Sequence, residues 1–466
     1  MEHQTGYGKF VSRKLAMVSR QGIAGDLSGY SLKPHQNDMT AWALRRGCAA
    51  IFADTGLGKS RMQIAWADVV RKQSSDSRII ILAPLAVAGQ TVEEAEKIGV
   101  SVNYCRDDSD VRDGINITNY DRIHKFDASQ FGAVVLDESS VIKHHAAKTL
   151  QTLLDKFRAT PYKLACTATP APNDWTELGN HAEFLGVRSR AEMLAEFFVH
   201  DGGDTQTWRL KGHARKLFWR WVASWGAMVR SPADLGHDAS AYELPPLHVH
   251  QHTVEIAHNS EHGLFAMEAQ TLTERRNARK ESLVDRVRAC AEIVNATDEI
   301  WLIWCDLNAE GDALEAAIPG SVQIAGRDDE EFKERNLLDF AHGKTRVLIS
   351  KPSICGFGLN FQASAHMAFV GVTDSFEAYY QAVRRSWRFG QKRPVNVHVF
   401  ASNQEGAVVA NLRRKEADAK AMAESMAAET LEAVRSEVVG ARKDTNVYTP
   451  TKSIALPNFM EVTWAA

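Results

Sequence analysis

Residues 48–72 read CAAIFADTGLGKSRMQIAWADVVRK, and three kinds of local structure follow one another along them. CAAIFA is a short apolar run of the length expected for a buried strand. SRMQIAWADVVRK (60–72) reads as a helix. ADTGLGKS (53–60) lies between them, which is the context a phosphate-binding loop requires. Gly56 and Gly58 let the backbone curl so that successive N–H groups point at phosphate oxygens, with the helix N-terminus behind them. Thr55 and Leu57 complete the cradle. Lys59 supplies a flexible point charge for the terminal phosphates, and Ser60 a hydroxyl for Mg²⁺. The first position of the usual pattern is Ala53 rather than Gly.

Working outward, apolar runs recur at 78–84, 115–120, 132–138 and 162–170, separated by helix-like stretches. Strand and helix alternating in this way predict a parallel sheet with helices on both faces. A second set appears at 299–306, 320–326, 345–352, 366–373 and 395–402. The fold class expected is α/β, in two lobes of similar size. The boundaries read as an N-terminal segment 1–30, lobe 1 at 31–174, a helical interlobe segment 175–254, lobe 2 at 255–403 and a helical tail 404–466. In such folds ligands bind at the carboxyl ends of the strands. The polar residues of interest mostly lie there.

LDESS (136–140) ends the fourth run. Asp137 is placed to hold Mg²⁺, and Glu138 to accept a proton from an attacking water. Adjacent carboxylates are poor core material, because burying unpaired charge is costly. Gln36, in LKPHQ (32–36), carries an amide that can read an adenine edge with one donor and one acceptor. In YYQAVRRSWRFGQKRP (379–394), about 100° per helical residue puts Gln381, Arg384, Arg385 and Arg388 on one side. A solvated basic face and a set of guanidiniums facing a phosphate are both open on this pattern alone.

Composition narrows the class. The chain of 466 residues has 44% hydrophobic and 24% charged residues, which suits a globular protein of two or three domains. No apolar run approaches the roughly 18 residues needed to span a bilayer. The N-terminus lacks the apolar core of a signal peptide, so a cytoplasmic location and no membrane partner are expected. The six cysteines form no CxxC pair, which argues against disulfide staples and structural zinc. With a formal net charge of −3, any nucleic-acid surface must be local.

The ordered series LKPHQ, ADTGLGKS, LAPLAVAGQ, ITNYDR, LDESS, CTATPAPND, VLISKPSICGFGLNFQ and QAVRRSWRFGQ resembles the motif set of superfamily-two helicases. It is most similar to the Swi/Snf-type double-stranded DNA translocases, and the chain looks like the stand-alone helicases of bacteriophages and prophages. The resemblance implies two tandem RecA-like lobes with an ATP cleft between them, ATP and Mg²⁺ as cofactors, and DNA as the partner. It assigns Gln36 to adenine, Lys59 and Ser60 to phosphates and Mg²⁺, and Asp137 and Glu138 to metal and water. Thr167 and Thr169 would couple nucleotide state to DNA grip. Gly358 and Asn360 would face nucleotide and strand from lobe 2, and Gln381, Arg385 and Arg388 would reach ATP across the cleft. Nucleic acid would lie near Gln90, Thr118, Asn119, Lys351 and Ser353, touching phosphates rather than bases. The sequence departs from the family at Ala168, Arg384 and Trp387 and in the last residues of LDESS. Arg384 is left without a role.

Three functions follow as expectations: an ATP-dependent DNA translocase or helicase, an ATP-gated nucleic-acid clamp, and a motor subunit partnered by a nuclease or methyltransferase. RNA as the track also stays open. Phe218, Trp221, Val222, Trp225 and Val229 share one helical face in 216–230, read as core with a possible DNA edge. HVHQH (248–252) places three histidines on one side of a strand, where a solvent-facing strand and a zinc or nickel site are the alternatives. RRNARK (275–280) is a basic helical stretch, either solvated or touching DNA backbone.

Overall fold

The computed structural model describes residues 22–74, 78–84, 87–143, 148–171, 174–201, 204–254, 280–355, 360–371, 376–402 and most of 428–439. The first sheet contains β1 (Cys48–Ala53), β2 (Arg78–Ala83), β3 (Val102–Tyr104), β4 (Gly114–Asn119), β5 (Ala133–Asp137) and β6 (Tyr162–Thr167). A hairpin of β7 (Phe198–Asp201) and β8 (Asp204–Leu210) follows, and then β9 (Gly226–Val229). The second sheet is built from β10 (Leu247–Val254), β11 (Trp301–Trp304), β12 (Ser321–Ile324), β13 (Val347–Ser350), β14 (His366–Phe369) and β15 (Val395–Ser402).

The strand order is β3-β4-β2-β5-β6-β1-β9 in one sheet and β10-β15-β14-β11-β13-β12 in the other, with every pairing parallel. Both sheets are flanked by helices, as expected for two tandem RecA-like lobes facing one another across a cleft. The reason lies in the alternation of strand side chains. Ile79 and Ile81 enter one apolar cluster and Ile80 and Leu82 the other, so β2 is covered on both faces. Trp301 and Ile303 are divided from Leu302 and Trp304 in the same way in lobe 2. Each such side chain contributes about 1.5–3 kcal/mol on burial, so a charge at Ile80 would break lobe 1.

Three strands of the two main sheets, β3, β9 and β10, exceed the expected sets. The helix expected over 216–230 stops at Trp225, because Gly226 takes an extended backbone (φ −127°, ψ 118°) and starts β9. A Cβ at Gly226 would lie 2.9 Å from the Phe52 ring, so the strand closes on β1 only with glycine there. Phe218, Trp221, Val222 and Trp225 are core residues of lobe 1, while Val229 is buried on a strand rather than on their helical face. The stretch 175–254 is therefore mixed rather than helical, and its last strand, β10, joins lobe 2 beside β15. Helical residues of the tail return to lobe 1, where Val434 and Val438 enter its core and Glu437 pairs with Arg46.

Candidate nucleotide and phosphate-transfer site

Strands β5, β6 and β1 are neighbours, so the loops leaving their carboxyl ends share one rim. The loop after β1 takes left-handed backbone at Gly56 (φ 89°) and Gly58 (φ 84°). A Cβ at Gly58 would sit 2.2 Å from Gln36 Nε2, and one at Gly56 2.7 Å from Phe389 Cβ. Gln36 holds this loop: its Nε2 donates to the Leu57 carbonyl at 3.0 Å, and its Oε1 accepts from Lys33 N–H at 2.9 Å. Lys59 opens the Lys59–Gln73 helix and folds back, donating to the carbonyls of Ala53 (2.9 Å) and Asp54 (3.4 Å). Burial pulls its ammonium below the ordinary lysine value, against the opposing charges of Glu138, Asp54 and Asp137. Thr55 and Ser60 line the same half-buried turn.

The acidic pair closes the other side. Asp137 Oδ1 accepts from Gln63 Nε2 (2.7 Å) and Glu138 N–H (3.0 Å), and the Asp137 carbonyl accepts from the Tyr120 hydroxyl at 2.7 Å. Burial, reinforced by Glu138, pushes the Asp137 carboxyl up to about 6 despite the Gln63 hydrogen bond and Lys59. Glu138 adopts φ 53°, a left-handed conformation costing a non-glycine residue about 1–2 kcal/mol. Such strain is kept where surrounding contacts over-determine it. The Thr167 hydroxyl donates to Glu138 Oε1 at 3.4 Å, and Thr169 N–H donates to Thr167 Oγ1 at 3.1 Å. Behind the pair, Ser139 Oγ meets His181 Nε2 at 3.1 Å, and burial drops that imidazole to about 4.

Mg²⁺ suits this donor set. It keeps several waters and takes one or two carboxylates together with substrate phosphates. Among the described residues no group of three or more His, Cys, Asp or Glu is arranged to hold a metal by itself. Asp137 and the Ser60 hydroxyl are the protein groups that would hold the ion.

Lobe 2 faces this rim with the end of the Phe376–Val383 helix and the turns after it. Arg385 is held by Gln381, its Nε donating to the Gln381 carbonyl (2.9 Å) and its Nη2 to Gln381 Oε1 (2.8 Å). Gln381 Nε2 in turn donates to Thr169 Oγ1 in lobe 1 at 3.2 Å. Burial lowers Arg385 to about 10, with Glu138 opposing the shift. Arg388 falls to about 9 through burial and the neighbouring Arg385 and Arg384. A guanidinium stays protonated in proteins; the depressed values mark positive charge taken out of water beside other positive charge. An anion entering the cleft would relieve both.

Residues 35–224 match the model of the SNF2-related domain. Over that stretch the chain is similar to the SNF2-related helicase domains. Over 87 residues it is 30% identical to the bifunctional helicase and thymine dioxygenase JBP2 of Leishmania braziliensis, and 29% identical to the proteins of the same name from Leishmania infantum and Leishmania major. Each match covers 18% of this chain and 8% of the relative.

The other expected residues lie elsewhere in the two lobes. Gln90 is half-buried on the Ala88–Glu96 helix. Thr118 is fully buried at the end of β4, and Asn119 is buried as well, its Oδ1 accepting from Arg122 N–H at 3.1 Å. Both therefore shape the turn rather than expose a loop. In lobe 2, Lys351 and Ser353 stand at the end of β13, Ser353 exposed. Asn360 pairs with Gln362 through two 3.3 Å hydrogen bonds. Gly358 and residues 275–279 lie outside the described residues. The histidines of β10 form a stack: His252 Nε2 meets His398 Nδ1 at 2.9 Å, and His250 stacks on His398 at 4.7 Å.

Several site residues escaped the sequence reading. Gln63 lies one turn beyond Ser60, so helical spacing could have pointed it at the acidic pair. Tyr242 stacks on Phe389 at 4.5 Å, with Lys33 Nζ over both rings, beside the Gln36 loop. Their separation in sequence hid that cluster. Asp54 stands inside the phosphate loop itself, and its partner, Arg384, belongs to lobe 2.

Proposed function

We propose that this protein is an ATP-dependent translocase that moves along duplex DNA by opening and closing the cleft between its lobes. Lys59, Ser60 and the loop amides receive the phosphates, Asp137 with Ser60 would hold the metal, and Glu138 takes the proton of the attacking water. When bound, Mg²⁺ would neutralise charge on the β- and γ-phosphate oxygens. Arg385 and Arg388 meet the charge that develops on the transferred phosphoryl group. Gln36 ties the adenine end to the loop, and Asn360 completes the lobe-2 face. Gln90, Lys351 and Ser353 grip the track, and Thr118 and Asn119 shape the turn after β4.

The observation carrying this reading is the hydrogen-bonded run Glu138–Thr167–Thr169–Gln381–Arg385, which crosses the cleft from proposed base to proposed arginine finger. A change at the reacting end would pass to lobe 2 along this run, as a motor requires. Little sequence preference and a steep salt dependence follow if contacts go to phosphates. The similarity to Swi/Snf-type motifs favours duplex DNA over RNA.

The test is steady-state ATP hydrolysis with duplex DNA, single-stranded DNA and RNA in parallel, followed by triplex displacement and forked-duplex unwinding. Strongest stimulation by duplex with triplex displacement supports translocation. Stimulation by single strands with unwinding makes it a strand-separating helicase. Stimulated turnover without either movement makes it a clamp.

A further inference from the structure

Arg384 pairs with a carboxylate of lobe 1 across the cleft. Its Nη2 lies 2.8 Å from Asp54 Oδ2, and the two side chains are 7% and 25% exposed. The guanidinium is fixed in direction by two rings, its centre 5.2 Å from that of Trp387 and 5.6 Å from that of Tyr380. Trp387 is itself anchored, its Nε1 donating to the Pro245 carbonyl at 2.7 Å. Arg384 therefore approaches the phosphate loop from a rigid platform.

Asp54 divides its carboxylate between two tasks. Oδ1 accepts from Thr55 N–H (2.6 Å) and the Thr55 hydroxyl (3.2 Å), which sets the first turn of the loop. Oδ2 takes the lobe-2 arginine. The Asp54 carbonyl also accepts from Lys59. Loop shape, lysine position and lobe 2 are thus joined through one residue. The contact is strengthened nearby, where Phe389 covers Gly56 at a distance that leaves no room for a Cβ.

Electrostatics gives the pair its purpose. Arg384, Arg385 and Arg388 crowd one short segment and repel each other. Asp54 compensates the first of them, which eases that repulsion while Arg385 and Arg388 face the acidic pair. A half-buried pair of this kind also holds its geometry, since parting the partners without full hydration leaves charge poorly solvated. By contrast, the exposed interlobe contact of Arg106 with Glu331, at 3.6 Å, is of the surface type that contributes little.

We propose that Arg384 is a positioning residue for phosphoryl transfer: paired with Asp54, it latches lobe 2 onto the phosphate loop and holds Arg385 and Arg388 over the cleft before nucleotide arrives. This rests on the ATPase reading above. With the latch made, ATP meets a preformed cleft and need not draw the lobes together by itself. With the latch broken, part of its binding energy goes into closure, and apparent affinity falls by the fraction of closed molecules lost. Chemistry in the closed complex is unchanged, because Arg384 does not touch the reacting atoms.

The test uses the full chain bearing fluorescent labels at Asp155→Cys in lobe 1 and Ala316→Cys in lobe 2, both exposed. Five native cysteines are buried and Cys48 is partly so, which favours labelling at the introduced sites. Arg384→Gln, Asp54→Asn, the double variant and Arg384→Lys are compared with wild type without nucleotide and in ATP titrations. The amide oxygen introduced by Asp54→Asn can still accept the Thr55 hydrogen bonds, so the loop turn is kept. The expected result is a longer inter-label distance in each single variant without nucleotide, with no further change in the double. In Arg384→Gln, KM for ATP rises about tenfold, while kcat at saturation stays within about threefold. Arg384→Lys, which keeps the charge, lies between. An unchanged distance and KM in folded Arg384→Gln, or single effects that add in the double, overturns the latch. If wild type hydrolyses no ATP under any condition yet the distances shift as described, the latch stands and the ATPase reading falls.

Discussion

Gln381 of lobe 2 donates through Nε2 to Thr169 Oγ1 of lobe 1 at 3.2 Å, while its Oε1 accepts from Arg385. One amide thus joins the end of β6 to a guanidinium over the acidic pair. Thr169→Val removes the acceptor and keeps the shape. A hydrogen bond of this kind is worth about 0.5–1.5 kcal/mol, so coupling should weaken by up to about tenfold. The expected outcome is basal ATPase near wild type with nucleic-acid stimulation reduced by that factor, read from paired assays. Undiminished stimulation would remove Thr169 from the coupling route.

Asp137→Asn should separate stability from activity. The carboxyl is raised from 3.8 to about 6 in the folded chain. Above that pH it is ionised at a cost, so a neutral group of the same shape adds up to about 3 kcal/mol. The amide oxygen of the variant can still accept from Gln63 and the Glu138 N–H. Thermal melts at pH 7.5 should rise by several degrees while ATP turnover is lost. A lower melting point would show that the charge stabilises lobe 1.

His181 sets an acid limit. Folding lowers its imidazole from 6.5 to about 4. The unfolded chain therefore binds a proton near pH 6.5 that the folded chain refuses until near pH 4. Stability is complete above pH 6.5 and is lost as pH falls towards 4, by up to about 3 kcal/mol. His181→Asn, which can still meet Ser139, should flatten this slope in denaturant titrations. A residual slope is expected from His398, also lowered to about 4 by burial and its histidine neighbours.

Gly58→Ala tests the loop. The substitution meets both the positive φ and the Gln36 amide. Strain of about 1–2 kcal/mol is expected, and relief by moving Gln36 would pull the adenine end of the site out of place. Nucleotide affinity should fall at least about tenfold, since about 1.4 kcal/mol is tenfold in binding. Binding of a fluorescent ATP analogue near wild type would count against the loop's role.

The local features were legible because they are written in contiguous residues. Strand, loop and helix over 48–72 and the apolar runs of both lobes follow from periodicity, and glycine at 56 and 58 from the turn they must make. What was hidden depends on distant segments meeting. Arg384 lacked a role until Asp54 faced it, and Tyr242 lacked one until Phe389 stacked on it. β9 was read as helix because Trp221, Trp225 and Val229 keep helical spacing, although Gly226 breaks the run between them. β10 looked solvent-facing, which its edge position explains, but only the fold brings His398 against it.

The central claim is that Arg388 acts on ATP from across the cleft. Arginine fingers supplied this way are worth roughly 10³–10⁵ in rate. The decisive measurement is duplex-stimulated ATP turnover of Arg388→Ala beside wild type, with DNA binding measured on the same samples. Turnover reduced by at least roughly a thousandfold with DNA affinity retained is the predicted result. Turnover close to wild type in a variant that still binds DNA would contradict it.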